Sequence, residues 1–402
     1  MKYVILGYGI EGAAAEKYFR DLPGVEDVKV IENDRERSFA EQLKGLDDYT
    51  VVRSPGIALD KVPKNFKVWS TTNEFFAKCP ATIIGVTGSK GKGTTATMIA
   101  RILEAKGLTA HLVGNIGQPA IAELGKIKSA DYVVYELSSF QLWDIAQSPH
   151  IAVLTVLEPD HLDVHADFDD YERAKANIVK FQGPNDLVVY NKNDQLVTRI
   201  AQSSQGRKVA YPNQLVPNLR EFLQVLGEHN LRNAEAAVSA VWDIIGGDVA
   251  AVKKALTNFK GLPHHIELVR ELNGVHYYDD SFSSNPTATK VAVEALSDPI
   301  ILILGGSDKG IDMAPLKNFL NGTKNIKKIL LIGQIKDQLA DGLQQDFEVM
   351  TTEDFREIIE HARDLAMSGD VVLLSPSTAS FGMFKNFYDR GEQFQRIVKE
   401  LK

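Results

Sequence analysis

The side chains best suited to chemistry are Lys92, Glu136, His161 and Lys175, together with the glycines around Lys92. Lys92 lies in Thr87-Gly-Ser-Lys-Gly-Lys-Gly-Thr94, after the β-branched run 82–86 and before an amphipathic stretch, 95–106, that ends at Gly107. A buried strand, a glycine loop and a helix in that order make a phosphate cradle. Gly88, Gly91 and Gly93 let the backbone turn N–H groups inward, Ser89 lies within the loop, Lys92 adds a point charge, and the helix contributes its positive end. The usual G-x-x-x-x-G-K-[ST] pattern would place glycine at 86 and a hydroxyl at 93, where this chain has Val86 and Gly93. Thr94 is then the nearest hydroxyl for a magnesium ion, with Thr95 one residue on. An ordinary glycine-rich turn is the plain alternative; the order of strand, loop, lysine and helix favours a nucleoside triphosphate.

Beside such a phosphate chain, an acid at the end of a neighbouring strand is the natural Mg²⁺ ligand, because Mg²⁺ prefers oxygen donors. Glu136 ends the apolar run 132–135, and Asp160-His161 follows the run 151–156. Histidine is a less usual partner for Mg²⁺, so His161 stands evenly between ligand and surface residue. Glu158, Asp160 and Asp163 read equally well as solvated loop acids. Lys175 sits in an expected helix, 169–181, where a lysine ordinarily snorkels to the surface.

The elements that must position these groups alternate regularly. Strand 2–6 runs into Gly7-Tyr-Gly9-Ile10-Glu11-Gly12 and a helix over 13–20, a dinucleotide-type turn. A second strand, 28–31, ends in Glu32-Asn33-Asp34, an acid about 20 residues past the glycines, where a ribose hydroxyl could be held. Alone, that turn suits any diphosphate. Further strand-to-turn units occur at 51–56 and 67–71, and Cys79-Pro80 marks a boundary. The phosphate loop then opens a second parallel sheet with strands at 110–113, 132–135, 151–156 and 187–190, and helices at 230–245 and 248–259 close it. In such a sheet the polar loops Gly114-Asn115, Glu136 to Gln141 and Glu158 to Asp163 gather at one edge. Gly261-Leu-Pro263 links to a third unit with strands at 266–272, 275–278, 300–304, 328–332, 347–350 and 371–374, and an Asn273-Gly274 hairpin turn. The expected fold is α/β in three domains: a Rossmann-like domain over 1–79, a P-loop ATPase-like domain over 80–260, and a Rossmann-like domain over 261–402.

Composition limits the function classes. The chain has 402 residues, 45 basic and 53 acidic, for a net charge of −8, which argues against nucleic acid as a main partner. No apolar run approaches the roughly 20 residues needed to cross a bilayer. The N-terminus enters a strand directly, so no signal peptide is expected. The single cysteine, Cys79, fits a reducing cytoplasm and reads as a small buried hydrophobe. Nothing calls for an oligomer, so a monomer is expected.

Taken in order, Thr87 to Thr94, Gly114-Asn-Ile-Gly, Glu136-Leu-Ser-Ser-Phe-Gln, Asp160-His-Leu-Asp, Tyr171-Glu-Arg-Ala-Lys175, His229-Asn230 with Asn233, Asp280-Ser281, Gly305-Gly with Asp308-Lys309, and Ser375-Pro with Ala379-Ser380 and Phe387 resemble the Mur ligases of peptidoglycan synthesis. The resemblance spans the chain and is strongest to the branch that adds D-glutamate to UDP-N-acetylmuramoyl-L-alanine through an acyl phosphate, using ATP and Mg²⁺ or Mn²⁺. It implies that Lys92 neutralises the β and γ phosphates, that Glu136 and His161 hold metal, and that Lys175 is carbamylated, which would make it an anionic metal ligand. It implies that Asn230, Asn233 and Asp280 position the nucleotide, and that Asn115, Ser138 and Gln141 contact the muramoyl substrate. Gly7, Gly9, Ile10, Glu11, Gly12, Asp34, Ser70, Thr71 and Thr72 would face the uridine diphosphate. Lys309, Ser380 and Phe381 would surround the incoming glutamate, with Phe387 nearby.

Three positions depart from that pattern. His264-His265 stands where the family reads His-Arg, Phe282 stands where a lysine would hold a glutamate carboxylate, and Gly93 gives a Gly-Lys-Gly-Thr loop like that of folylpolyglutamate synthetases. Phe282 leaves open L-glutamate or another acidic amino acid. Two other classes compete: a nucleotide-binding subunit without ligase activity, motivated by the lost arginine and lysine, and a nicotinamide-dependent oxidoreductase, motivated by the first glycine turn. The oxidoreductase gives the phosphate loop, Glu136 and His161 nothing to do.

Overall fold

The computed structural model describes residues 1–32, 37–161 and 164–402. Asp34 and Asp163 lie outside the described residues. Three separate sheets form, each from strands whose apolar runs are too short and too β-branched for helices. The first contains β1 (Lys2–Leu6), β2 (Asp27–Ile31), β3 (Thr50–Arg53) and β4 (Lys67–Ser70) in the order β2-β1-β3-β4, all parallel. The second contains β5 (Thr82–Thr87), β6 (Ala110–Gly114), β7 (Tyr132–Glu136), β8 (Ile151–Leu154), β9 (Leu187–Asn191) and β10 (Arg207–Tyr211). Its order is β10-β9-β8-β5-β7-β6, again all parallel. β10, an edge strand that opens with Arg207 and Lys208, escapes a hydrophobic-run reading.

The third sheet contains β11 (Glu267–Leu272), β12 (Val275–Asp279), β13 (Ile300–Gly305), β14 (Ile326–Ile332), β15 (Phe347–Val349) and β16 (Val371–Leu374). Its order is β11-β12-β16-β13-β14-β15, with only β11 antiparallel. Asn273 and Gly274 both have positive φ, 54° and 76°, as a two-residue hairpin turn requires. Both faces of this sheet are covered. Ile301 and Ile303 join one apolar cluster while Ile300, Leu302 and Leu304 join the other, which is why β13 is buried throughout.

The chain packs as two compact units, residues 1–223 with 228–259, and residues 224–227 with 260–402. The first unit holds two sheets, and an ion pair with a buried arginine helps tie them. Arg53, fully buried at the end of β3, donates to Asp144 Oδ1 at 2.7 Å and to the Phe140 carbonyl at 2.8 Å. Asn73 adds bonds to the Asp144 carbonyl and the Ala146 amide. Asp144 approaches Arg53 with both carboxylate oxygens, a fork geometry that point-charge lysine could not match. Cys79 is half-buried rather than buried. Among the described residues, no helix is long and apolar enough to cross a membrane.

Candidate active site

β5 lies between β7 and β8, so the loops leaving these three strands emerge side by side at the C-terminal edge of the second sheet. The helix after β5 starts earlier than its apolar period suggests. It spans Lys92–Ala105, with Gly91 as N-cap at φ 81° and no side-chain cap. Lys92, Gly93 and Thr94 therefore form its first turn, and its leading N–H groups stay uncapped by side chains. A Cβ on Gly91 would lie 2.3 Å from Asn233 Oδ1, so only glycine allows this close approach. Thr94 is half-exposed, whereas Thr95 is fully buried and reaches Asn233 Oδ1 at 3.4 Å. Asn233 also donates to Asn230 at 3.2 Å, which brings both asparagines of helix Glu228–Val241 to the loop.

β8 stops at Leu154, two residues short of the expected 156, because the chain leaves the sheet to clasp the loop. Thr155 Oγ1 donates to the Lys90 carbonyl at 2.6 Å, and the Ser89 amide donates to Val156 at 2.6 Å. Ser89 Oγ meets the Tyr171 hydroxyl at 2.8 Å and donates to the Glu158 carbonyl at 2.7 Å. Ser89 is thus a structural tie as well as a loop residue. Glu158 is exposed, as a solvated loop acid would be, and pairs there with Lys90 at 2.6 Å.

The titratable groups of this edge perturb one another. Glu136, buried at the end of β7, has its pKa raised by desolvation, against the pull of Lys92, Lys175 and a hydrogen bond from Asn115. Lys92 donates to the Ser89 carbonyl at 3.0 Å, and burial lowers its pKa despite Glu136 and Asp160. Lys175 does not snorkel. It is 1% exposed in helix Phe168–Lys180, its Nζ lies 3.3 Å from Thr87 Oγ1 and 4.8 Å from the Tyr171 ring centre, and desolvation plus repulsion from Lys92 holds its pKa well below the usual lysine range. A buried amine held toward its neutral form is nucleophilic.

The first glycine turn is also built. Gly7 has φ 84°, and a Cβ on Gly12 would lie 2.0 Å from the Gly7 carbonyl oxygen. Helix Ile10–Asp21 starts at once, with Gly9 as an uncapped N-cap and Ile10 80% exposed. Glu11 accepts from Thr71 at 2.9 Å and from Gln141 at 3.3 Å, and burial raises its pKa. Ser70 caps helix Thr71–Lys78 and Thr72 is fully buried. Ser138 and Gln141 form a reciprocal capping box on helix Ser139–Leu142. These expected substrate residues converge, and Asn115 joins them through Glu136.

The second unit gathers its own set at the ends of β12, β13 and β16. Asp280 is buried, accepts from Ser375 at 2.7 Å and from the Ile266 amide at 3.2 Å, and is pushed up to about 7 by desolvation. The Ser307 amide donates to the Ala379 carbonyl at 2.9 Å, which joins the Lys309 and Ser380 segments, and Ser281 Oγ donates to the Phe387 carbonyl at 2.8 Å, which joins Phe387 to the Asp280 segment. Lys309 is exposed, Ser380 is buried and Phe381 is 65% exposed. The two departures His265 and Phe282 touch: their rings stack at 3.9 Å and 25°, with Phe387 edge-on at 5.1 Å. Sequence reasoning missed Tyr171 as a cover for Lys175, the Arg53 to Asp144 tie, and Arg390, fully buried and bonded to Ser281 and Thr378. Their spacing carries no pattern that separates them from surface residues.

Residues 86–215 match the Mur ligase middle domain and residues 265–378 match the Mur ligase glutamate ligase domain. A Clostridium botulinum (strain Okra / Type B1) protein named UDP-N-acetylmuramoylalanine–D-glutamate ligase is 36% identical over 392 residues, covering 89% of this chain and 84% of its own. The chain belongs to the Mur ligase family. An Acetivibrio thermocellus protein of the same name is 37% identical over 401 residues, covering 90% and 84%. Among solved structures, the UDP-N-acetylmuramate–alanine ligase of Thermotoga maritima matches all of both chains with a TM-score of 0.64 at 18% identity. The folylpolyglutamate synthase of that organism covers 82% of this chain and 93% of its own, with a TM-score of 0.60 at 14% identity. Both share the Mur ligase three-domain α/β fold with this chain.

Proposed function

We propose that this chain is an ATP-dependent ligase that joins D-glutamate to UDP-N-acetylmuramoyl-L-alanine in peptidoglycan precursor synthesis. The observation that carries the reading is the C-terminal edge of the second sheet, where an uncapped helix N-terminus, Lys92, Glu136 and a buried Lys175 with a lowered pKa converge. The substrate carboxylate is a poor electrophile until the γ-phosphoryl group of ATP converts it to an acyl phosphate. The amino group of glutamate then adds to that carbonyl, and the tetrahedral intermediate expels phosphate to leave an amide. No protein nucleophile is needed. Lys92 and the N–H groups of residues 92–94 hold the transferring phosphoryl group and offset its charge.

The donor set fits a hard divalent cation in part. Glu136 and Thr94 offer oxygen, His161 offers nitrogen, and Lys175 fits as a carbamate rather than an ammonium group. The neutral amine needed to take up carbon dioxide is the state its surroundings favour. Mg²⁺ or Mn²⁺ held there would neutralise phosphate charge. Asn230, Asn233 and Asp280 hold the nucleotide, the Gly7–Gly12 turn with Asp34 and Ser70 to Thr72 holds the uridine diphosphate, and Asn115, Ser138 and Gln141 meet the muramoyl moiety. Lys309, Ser380, Phe381 and Phe387 receive the amino acid. Residues 1–79, 80–260 and 261–402 divide these tasks in a cytoplasmic monomer.

The experiment is product mass spectrometry after incubation with UDP-N-acetylmuramoyl-L-alanine, ATP, Mg²⁺ and a mixed amino-acid pool, with chiral analysis of the product. A glutamyl amide with release of phosphate is expected. No product and no phosphate above background would overturn the reading. Phe282, in the place of a lysine that would hold a glutamate carboxylate, motivates one variation, L-glutamate or another acidic amino acid, which the product mass and the chiral step separate.

A further inference from the structure

Asp170, His165 and Ser139 stand in the Asp-His-Ser order of a hydrolase triad, yet the ligation just described does not use them. His165 Nδ1 lies 2.9 Å from Asp170 Oδ2 and Nε2 lies 2.9 Å from Ser139 Oγ. One tautomer satisfies both contacts: Nδ1–H donates to the carboxylate and Nε2 accepts from the hydroxyl. Ser139 is 1% exposed and His165 2% exposed, inside a box of Phe140, Trp143 and Tyr171 rings centred 4.4 to 5.4 Å from the imidazole. No substrate carbonyl can reach that serine, so nucleophilic catalysis is excluded by access rather than by geometry.

The three residues instead join elements that carry the active site. Ser139 begins helix Ser139–Leu142, beside the Ser138 and Gln141 box, and Asp170 lies in the first turn of the helix that carries Lys175. His161 lies on the chain segment between them. Its backbone is left-handed, φ 54°, a conformation that persists only where the surroundings impose it. Its carbonyl accepts from the amides of Val164 at 3.1 Å and His165 at 3.0 Å. Phe140 stacks on the His165 ring at 5.4 Å and 10°, and meets the His161 ring edge-on at 5.1 Å and 62°. His165 therefore constrains His161 twice, through the backbone and through Phe140.

We propose that His165, fixed by Asp170 and Ser139, is a positioning residue that sets the His161 ring for metal binding. This rests on the reading of His161 as a metal ligand. Outer partners that orient a ligating histidine are commonly worth 10- to 100-fold in metal affinity. The test is titration of Mn²⁺, followed by its electron paramagnetic resonance signal, into the full chain with a non-hydrolysable ATP analogue. His165→Ala is expected to weaken Mn²⁺ binding about tenfold or more. His165→Asn, which keeps a donor toward Asp170, should recover most of that loss, as a general packing defect would not. Ser139→Ala, which leaves the aromatic box closed, should weaken binding by a smaller factor, and it decides the matter if His165→Ala does not fold. Unchanged Mn²⁺ affinity in His165→Ala or, failing that, in Ser139→Ala, while His161→Ala binds weakly, would overturn the positioning role. Unchanged affinity in His161→Ala would instead overturn the ligand reading on which it rests.

Discussion

The C-terminal edges of the second and third sheets are built alike and charged differently. At the second, Lys175 and Glu136 are buried beside a partly buried Lys92, and all three remain imperfectly compensated, each shifted toward its neutral form by desolvation. At the third, the buried charges meet internal partners, although desolvation still raises Asp280 and lowers Arg390. Asp279 bonds His264 at 2.6 Å, Asp280 bonds Ser375, and Arg390 bonds Ser281 and Thr378. What this edge exposes is largely ring surface, Phe282 at 46%, Phe381 at 65% and Tyr388 at 52%. An edge whose buried charges lack hydrogen-bonded partners of their own stands ready for an ionic ligand, whereas one whose buried charges are bonded internally beneath exposed rings sorts ligands by shape and contact.

The largest expected effect follows from removing charge where it is uncompensated. Lys92→Ala should lower kcat by about 10³ or more, as loss of a preorganised phosphate donor does. Affinity for the uridine nucleotide, measured by calorimetry, should stay near that of the unaltered chain. A parallel collapse of both would show that the two glycine turns do not serve separate ligands. Next comes Lys175→Ala, expected to cost about 10²-fold in kcat. Its carbamate should be visible as a carbon-13 resonance in labelled bicarbonate, and activity should fall on removal of dissolved carbon dioxide. Activity indifferent to carbon dioxide, with no such resonance, would leave Lys175 an ordinary buried amine.

The contrast between the two edges also explains what could be read from sequence. The second edge was legible because phosphate chemistry demands glycine, lysine and acid at fixed places after strands, and all of Gly88, Gly91, Lys92 and Glu136 occupy them. Boundaries slipped where a tertiary contact overrode local preference. Lys92 to Thr94 joined the helix despite Gly93, and Thr155 left β8 to bond the Lys90 carbonyl. Lys175 reads from its helix as a surface lysine, and only the Tyr171 ring and the Thr87 hydroxyl, 88 positions away in the latter case, reveal its burial. At the third edge, His265 and Phe282 read as two independent losses of a cation. In the structure their rings stack on each other, a contact that no single-position reading could disclose.

That linkage predicts a smaller effect. Phe282→Lys should raise the KM for the amino acid several-fold, because it breaks the contact with His265, whose pKa burial already lowers, and with the Phe387 edge. Ring pairs of this kind contribute about 0.5–1.5 kcal/mol each. The double variant His265→Arg with Phe282→Lys should recover part of the loss if the positions act together. Strictly additive losses would show that they do not.

The smallest effect concerns stability rather than turnover, and it tests whether the third edge has truly satisfied its charges. Burial pushes Asp280 from its usual 3.8 up to about 7, despite bonds from Ser375, Ser283 and the Ile266 amide. Below about pH 4 the carboxyl is protonated in both the folded and unfolded chain, so it makes no difference to the pH dependence there. Between that point and pH 7 the folded chain keeps a proton that the unfolded chain releases, so the stabilisation present at low pH is lost as pH rises through about 7. Asp280→Asn cannot titrate. Its thermal midpoint should therefore fall less than that of the unaltered chain between pH 5 and 8, by a few degrees, measured without nucleotide by calorimetry. Parallel curves would mean that Asp280 keeps an ordinary pKa in the folded protein, its charge fully satisfied by those hydrogen bonds.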